Sequence, residues 1–456
     1  MNKKNLISIL LSIVVIIISY FCHGVWWLTS EAITALWLTI SMVLLIATDA
    51  LPLLYITLLC VVLWPILWIT DGLWWITEFF STNLFLFTIL AITLGIAFSN
   101  TTLVRRILSW LLRRVKNDWK WPMIALWATA AILSSVVWNV AVVTLVAALC
   151  QEYLWLFDDP KTKKRNWACL FLWLAASALL WWNFTPLGTP GNMVMINIAQ
   201  KFGISISFLQ WISIAIPVTV VLLALMAIIL LLIFKPIKID EKTYEKYVKM
   251  NKISERLLWK EKILIASICL LILFSIFGSK IWVQADTALC VMAVILMIPS
   301  FKLVPLDQFE KSGALSVWIF AWVFVGLGSI LTATWAVDVI VTWLQTILPS
   351  TPSIIFLTAI FAIIVIIFSD IIPPAAAIAL VAAPIFTLTQ KYGIDPTMMV
   401  ILIAMAWWTS MILPLDPVTV IAYKYNYFSV KDMIKVWLLI ALCIIVVVTL
   451  AAWLVA

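Results

Sequence analysis

A run of apolar residues long enough for a membrane helix is interrupted between Leu180 and Asn192, where the sequence reads LWWNFTPLGTPGN. Two prolines and two glycines fall between Pro186 and Gly191, so a helix must break there. A break at membrane depth leaves backbone N–H and C=O groups unpaired, which is tolerated only where they line a cavity or bind a ligand. The stretch therefore predicts a binding site of the kind that interrupted helices form in secondary transporters.

A second copy of this pattern lies in the C-terminal half, at AWWTSMILPLDPVT, residues 406–419. The tryptophan pairs of the two copies begin at Trp181 and Trp407, an offset of 226 residues (407 − 181). Upstream, RRILSWLL at 105–112 resembles DVIVTWLQ at 338–345, with an offset of 233 (338 − 105). Chance could explain any one of these matches. Three matches in the same order, namely the upstream segments, the tryptophan pairs and the breaks, favour two duplicated halves.

The composition is that of a polytopic membrane protein. Hydrophobic residues make up 65% of the 456 residues and charged residues 11%, too few to cover a soluble globule. The net charge of +8 comes from bases between apolar runs, so it indicates membrane orientation and not a nucleic-acid partner. The seven cysteines lack metal or disulfide spacing, and His23 is the only histidine. This excludes an HExxH zinc enzyme and a His-based catalytic pair.

The predicted fold is an all-α polytopic membrane protein with about eleven transmembrane helices and two re-entrant hairpins, in an inverted repeat with broken helices at the midplane. Residues 1–50 form N-terminal spans, 51–234 the first repeat, 235–261 a cytoplasmic interfacial linker and 262–456 the second repeat. The linker is predicted to be a surface helix, with a flexible loop as the alternative.

Each predicted repeat contains a hairpin followed by a broken helix. These lie at 122–150 and 166–199 in the first repeat, and at 353–388 and 396–415 in the second. The first hairpin follows from basic residues on both of its flanks, which place both ends on one side of the membrane. The alternative is a single span in which Asn139 is a satisfied core amide.

Orientation follows from the basic loops. Lysine and arginine concentrate in five segments, which are the N-terminus, 105–120, 161–165, 235–262 and 424–435. Placing all of them inside puts the N-terminus in the cytoplasm, so the first hairpin opens inward and the second outward. The arginines after position 104 alternate with Leu and Trp at helical spacing, which predicts an amphipathic surface helix.

The predicted site joins the hairpin tips to the helix breaks. Helix N-termini at the midplane suit an oxyanion, while unwound carbonyls with Asn and Thr oxygens suit a dehydrated Na⁺. The predicted substrate-binding residues are Asn139, Thr189, Pro190, Asn192, Pro374, Ala375 and Thr419. The predicted Na⁺ ligands are Ser135, Asn139, Gly188 and Asn192. No Lys or Arg falls within either break, so dipoles, amides and bound cations would hold an anion.

Asp370 and Asp416 are the exceptions to this neutral lining. Charged groups are rare at such depth, which favours a coupling role for both. Asp416 is predicted to be a cation ligand or a proton carrier, with a water-exposed helix cap as the alternative. For Asp370, the alternative is a position near the membrane interface.

At these residues the chain resembles the divalent anion:sodium symporter family of dicarboxylate, citrate and sulfate transporters, within the ion transporter superfamily. GTPGN at 188–192 is similar to the family's Thr-Pro-Pro-Asn-like motif, and LSSVVWNVAVV at 133–143 places Asn139 where the family has a Ser-Asn-Thr hairpin tip. SFLQW at 207–211 and DMIKV at 432–436 also look like family sequence. The resemblance implies a Na⁺-binding first half and a homodimer that works by an elevator motion.

The second half departs from the family pattern. Its hairpin tip reads Pro374-Ala375-Ala376, with no Asn or Thr, and its break reads LDPVT at 415–419. The resemblance therefore carries over the fold and the first ion site, but neither the second Na⁺ site nor the double carboxylate clamp.

The resulting prediction is a secondary active transporter of a small anion, a carboxylate, coupled to Na⁺ and integral to a bacterial inner membrane. Coupling to H⁺ or exchange through Asp416, as in a cation/proton antiporter or an oxyanion exporter of the same superfamily, is the alternative. An intramembrane enzyme would need a catalytic spacing that Ser134, Ser135, Asp370 and Asp416 do not have. A membrane scaffold without transport activity is the remaining rival.

Overall fold

The computed structural model of the protein describes residues 3–21, 29–47, 51, 53–67, 84–114, 121–134, 139–156, 159–186, 190–236, 241–252, 256–277, 285–312, 336–370, 374–406 and 428–455, with single positions at 319, 323, 330, 334, 418 and 422. Every regular element in these segments is a helix, and no strand occurs in them. This agrees with the predicted all-α class.

The helices before the linker are α1 (Lys3–Phe21), α2 (Ser30–Ala47), α3 (Leu53–Ile66), α4 (Leu84–Ser99), α5 (Leu103–Arg114), α6 (Trp121–Ser134), α7 (Asn139–Leu154), α8 (Pro160–Trp181), α9 (Pro190–Lys201) and α10 (Phe208–Phe234). The helices from the linker onward are α11 (Glu241–Met250), α12 (Trp259–Phe277), α13 (Ala285–Met297), α14 (Leu306–Lys311), α15 (Ala336–Ile347), α16 (Ile354–Ser369), α17 (Pro374–Tyr392), α18 (Pro396–Ala406) and α19 (Val430–Val455). Short 3₁₀ turns lie at Trp182–Phe184 and Pro299–Phe301.

Two described helices, α10 and α19, are long and apolar enough to cross a membrane. They open with the same capping box. The Ser207 hydroxyl accepts from the Gln210 N–H (3.2 Å), while the Gln210 side chain accepts from the Ser207 N–H (2.9 Å). Likewise, the Ser429 N–H donates to Asp432 Oδ2 (2.9 Å) and the Asp432 N–H to Ser429 Oγ (3.3 Å). The two caps lie 222 residues apart (429 − 207), close to the offsets of the predicted repeat.

The helices around the predicted site pack in the same order in both halves. In the first half, α6 packs on α7 and α8, and α8 packs on α10; in the second, α16 packs on α17 and α18, and α18 packs on α19. The two sets meet because α10 packs on α19 and α9 packs on α17. We call these nine helices, α6 to α10 and α16 to α19, the site bundle.

A second set of helices lies beside the site bundle. In this flanking group, α4 packs on α13 and α13 packs on α12. It touches the site bundle where α4 meets α7 and α9 and where α10 meets α12. The boundaries of the two repeats stay a prediction.

The amphipathic helix α5 connects the flanking helix α4 to the site-bundle helix α6. It buries Leu103, Val104, Leu108 and Leu112 and packs on α6, as the alternation of arginine and leucine predicted. The linker contains a helix, α11, in place of a continuous loop. The Tyr244 hydroxyl of α11 donates to the Leu112 carbonyl at 3.1 Å. The linker helix is thereby tied to the end of α5.

Two consecutive arginines of α5 bind acids on different helices. Arg106 Nε donates to Glu261 Oε1 on α12 at 2.8 Å, and Thr102 Oγ1 donates to the same oxygen at 2.5 Å. Arg105 Nη2 donates to Glu152 Oε1 on α7 at 2.5 Å. The Glu261 side chain is fully buried at the polar end of α12, next to the linker. The helix α5 therefore bonds to both the flanking group and the site bundle.

Candidate functional site

The predicted break in the first half is present. Helix α8 ends at Trp181, a 3₁₀ turn covers Trp182–Phe184, and α9 begins at Pro190. Proline suits this position because the first residue of a helix has no intrahelical partner for its N–H. Residues 187–189 lie outside the described segments, and so do the predicted site residues Gly188 and Thr189.

Two side chains bind the main-chain oxygens that the break exposes. Asn192 Nδ2, in the first turn of α9, donates to the Thr185 carbonyl at 3.1 Å. Trp211 Nε1, near the start of α10, donates to the Asn183 carbonyl at 2.8 Å. Both donor residues are fully buried, so two main-chain oxygens of the unwound segment have specific side-chain partners.

The end of α6, which the sequence predicts to lead into the first hairpin tip, is bonded to the helix before this break. Helix α6 ends at Ser134 and α7 begins at Asn139. The Ser134 hydroxyl donates to the Ala178 carbonyl at 2.8 Å, which ties the end of α6 to the last turn of α8. The predicted Na⁺ ligand Ser135 follows directly but lies outside the described segments, and the Asn139 side chain is likewise not described.

Helices α9 and α17 pack on each other. Near their C-terminal ends, the rings of Phe202 and Phe386 stack at 5.1 Å, and Gln390 Nε2 donates to the Phe202 carbonyl at 3.3 Å. Pro190 precedes Phe202 by 12 residues (202 − 190), and Pro374 precedes Phe386 by 12 (386 − 374). At a rise of about 1.5 Å per residue, both helices begin about 18 Å from the aromatic pair. Each helix therefore begins the same number of residues before this contact.

In the predicted second hairpin, Asp370 is the C-cap residue of α16, and the residue is 8% exposed. It stands four residues before Pro374, the first residue of α17. A buried carboxyl group therefore lies at the end of α16, next to the predicted second hairpin tip. The side chains of Pro190, Pro374 and Ala375 are not among those described.

The described part of the second predicted broken helix is α18, which ends at Ala406, and the predicted break after it lies outside the described segments. Asp416 and Thr419 lie outside the described segments, so their roles stay predictions. The nearby residue Val418 is described and is fully buried.

Residues 26–412 match the model of a family described as citrate transporter. The chain belongs to the citrate transporter family. The match includes the first break and the residues of both predicted hairpins, 122–150 and 353–388. Membership confirms the resemblance drawn from GTPGN and Asn139, and it places the chain among integral membrane transporters and not among enzymes.

A curated relative of this transporter is the sodium-dependent high-affinity dicarboxylate transporter 3 of Caenorhabditis elegans. The two are 23% identical over 308 residues, which cover 59% of this chain and 54% of the relative. The match therefore spans about half the length of that relative.

Sequence reasoning missed two residues of the break. Trp211 was noted only as part of SFLQW, and Asn183 was not singled out. The pattern that could have found Trp211 is a lone tryptophan directly after a helix cap, downstream of a broken helix. Its partner lies 28 residues away along the chain, which no local pattern indicates.

Proposed function

We propose that this transporter moves a small carboxylate anion by secondary active transport coupled to Na⁺. The observation that carries the proposal is the packing of α9 on α17, two helices that each begin 12 residues before the aromatic pair of Phe202 and Phe386. Two helix N-termini at one level would offer unpaired N–H groups and positive partial charge to a carboxylate. The sodium-dependent dicarboxylate transporter of Caenorhabditis elegans supports the same substrate class.

Bound Na⁺ would supply the positive charge that the side chains of the two breaks lack. No Lys or Arg lies in either break, so a divalent anion would meet only dipoles and amides without a bound cation. The proposed Na⁺ ligands are Ser135, Asn139, Gly188 and Asn192. The proposed substrate contacts are Asn139, Thr189, Pro190, Asn192, Pro374, Ala375 and Thr419.

The packing supports an elevator motion of the site bundle. Its nine helices pack on each other more extensively than on the flanking group, so they could move as one body. The helix α5, which bonds to both sets, is the natural connection between a static part and a moving part. We propose that the flanking helices provide the static part, within a homodimer whose N-termini face the cytoplasm.

Proton coupling is the second candidate, and buried Asp370 favours it. A carboxyl group at a hairpin tip could carry a proton through the transport cycle. Asp416 would act with it or in its place.

The test is uptake of labelled succinate, citrate and sulfate into liposomes that contain the purified protein, under an inward Na⁺ gradient or a matched pH gradient. We expect saturable, Na⁺-driven uptake of a carboxylate. Uptake driven only by the pH gradient would replace Na⁺ by H⁺ as the coupling ion. The absence of saturable uptake of all three anions under both gradients would contradict the carboxylate proposal.

A further inference from the structure

The side chain of Asn183 has a buried oxygen that the proposed function does not use. Asn183 lies in the 3₁₀ turn of the first break, and the residue is 2% exposed. Its Oδ1 atom is buried and accepts no hydrogen bond from the residues that the structure describes. A buried acceptor without a donor is costly, so such a group in a native protein needs an explanation.

The backbone that carries this oxygen is held in place from two sides. The Asn183 carbonyl accepts the Trp211 indole N–H, and two residues later the Thr185 carbonyl accepts from the Asn192 amide. Asn183 and Asn192 therefore stand on the two sides of one break. The main chain that carries Asn183 is consequently fixed by buried partners within the break.

We propose that the Asn183 amide oxygen is a further ligand of the Na⁺ ion that drives transport. This inference rests on the proposed Na⁺ coupling. An amide oxygen is a ligand that hard cations prefer, and unwound carbonyls beside helix ends are where transporters bind Na⁺. A dehydrated Na⁺ would satisfy Oδ1 without a protein donor, and the break contains no Lys or Arg that could do so.

The chain offers a matched control in Asn251. Its side chain is also fully buried, and its Oδ1 likewise lacks a donor among the described residues. Asn251 follows the last turn of α11 in the linker, where its Nδ2 donates to the Tyr247 carbonyl at 3.1 Å. A change at Asn251 therefore removes the same chemical group at a position outside the break.

The experiment measures Na⁺ binding without transport. Purified protein in detergent is unfolded by heat at increasing Na⁺, with choline keeping the ionic strength constant, because a bound ion raises the unfolding temperature. We expect Asn183→Leu to raise the half-saturating Na⁺ concentration by about tenfold. Asn183→Asp keeps the oxygen and adds a negative charge, so it should lower that concentration. Asn251→Leu should leave it unchanged.

The outcomes separate the two proposals. A wild-type protein whose unfolding temperature does not respond to Na⁺ would overturn Na⁺ coupling itself. A normal response in the wild type, with an unchanged half-saturating concentration in the Leu or the Asp variant, would overturn only the role of Asn183. It would mean that a water molecule satisfies this oxygen. If Asn183→Leu does not fold, Asn183→Asp decides the question by the direction of its shift.

Discussion

The indole Nε1 of Trp211 donates a hydrogen bond of 2.8 Å to the main-chain oxygen of Asn183. Trp127 is a useful comparison, because it is also buried but its Nε1 has no acceptor among the described residues. Trp211→Phe should therefore destabilise the protein by about 1 kcal/mol more than Trp127→Phe, since only the first loses a hydrogen bond. Unfolding of both variants in detergent measures the difference. Equal losses of stability would contradict a structural role for this bond.

The two consecutive arginines of α5 bond to acids of different burial, which predicts unequal effects when each arginine is substituted. Arg106 bonds to Glu261, whose side chain is fully buried, so Arg106→Gln leaves a buried charge without its partner and should cost about 3–5 kcal/mol. Arg105 and Glu152 are 40% and 29% exposed, so Arg105→Gln should cost at most about 1 kcal/mol. Thermal unfolding of both variants tests this, with Arg105→Gln as the matched control. A larger loss of stability in Arg105→Gln than in Arg106→Gln would contradict the conclusion that the buried pair is the more stabilising one.

Glu261 also predicts a loss of stability in acid. Burial alone would raise the pKa of its carboxyl group, but hydrogen bonds from Arg106, Thr102 and the Leu258 N–H lower the pKa below its ordinary value. The Glu261 carboxylate therefore binds a proton less readily in the folded state than in the unfolded state. The stability that the ionised group contributes is fully present above about pH 4.3 and is lost as pH falls through the folded-state pKa. Glu261→Gln has no carboxyl to titrate. Its unfolding temperature should fall less than that of the wild type between neutral pH and about pH 3.

Those helix limits that depend on local chemistry could be predicted from the sequence. Pro190 and Pro374 begin helices, and Trp181 ends one, because proline and glycine act on their own neighbours in the chain. The capping box at Ser207 and Gln210 could have been predicted on the same local grounds, since its two side chains lie three residues apart.

The contacts that hold the site together could not be predicted in this way. The partners in the bond between Arg106 and Glu261 are 155 residues apart, and Gln390 bonds to the Phe202 carbonyl from 188 residues away. Such pairs depend on how helices cross in three dimensions, which apolar periodicity alone does not specify. Ser135 and Asp416 lie outside the described segments, so their roles stay predictions from the sequence.

We expect substitution of Asn192 to reduce transport while most of the protein still folds. The Asn192 amide binds the Thr185 carbonyl across the break, so Asn192→Ala should remove this hydrogen bond and lower Na⁺-driven uptake by at least about tenfold. Asn197→Ala is the matched control, because it removes a buried amide from the same helix five residues further on. Uptake into liposomes, normalised to the folded protein that each variant yields, measures the effect. Equal uptake by the two variants would remove Asn192 from the site.

If one carboxylate is bound by the starts of both α9 and α17, as the proposed function requires, these starts lie at one depth, and this predicts which introduced cysteines can be cross-linked. Val194 and Ile378 each lie four residues after the first residue of their helix, and both are fully buried. In a background without the seven native cysteines, Val194→Cys and Ile378→Cys should be cross-linked by a short bifunctional reagent. Ile385→Cys is the control partner. It lies seven residues after Ile378 on the same face of α17, about 10 Å further along the helix. More efficient cross-linking of Val194→Cys to Ile385→Cys would mean that the two N-termini are staggered, and a single carboxylate could then not be bound by both.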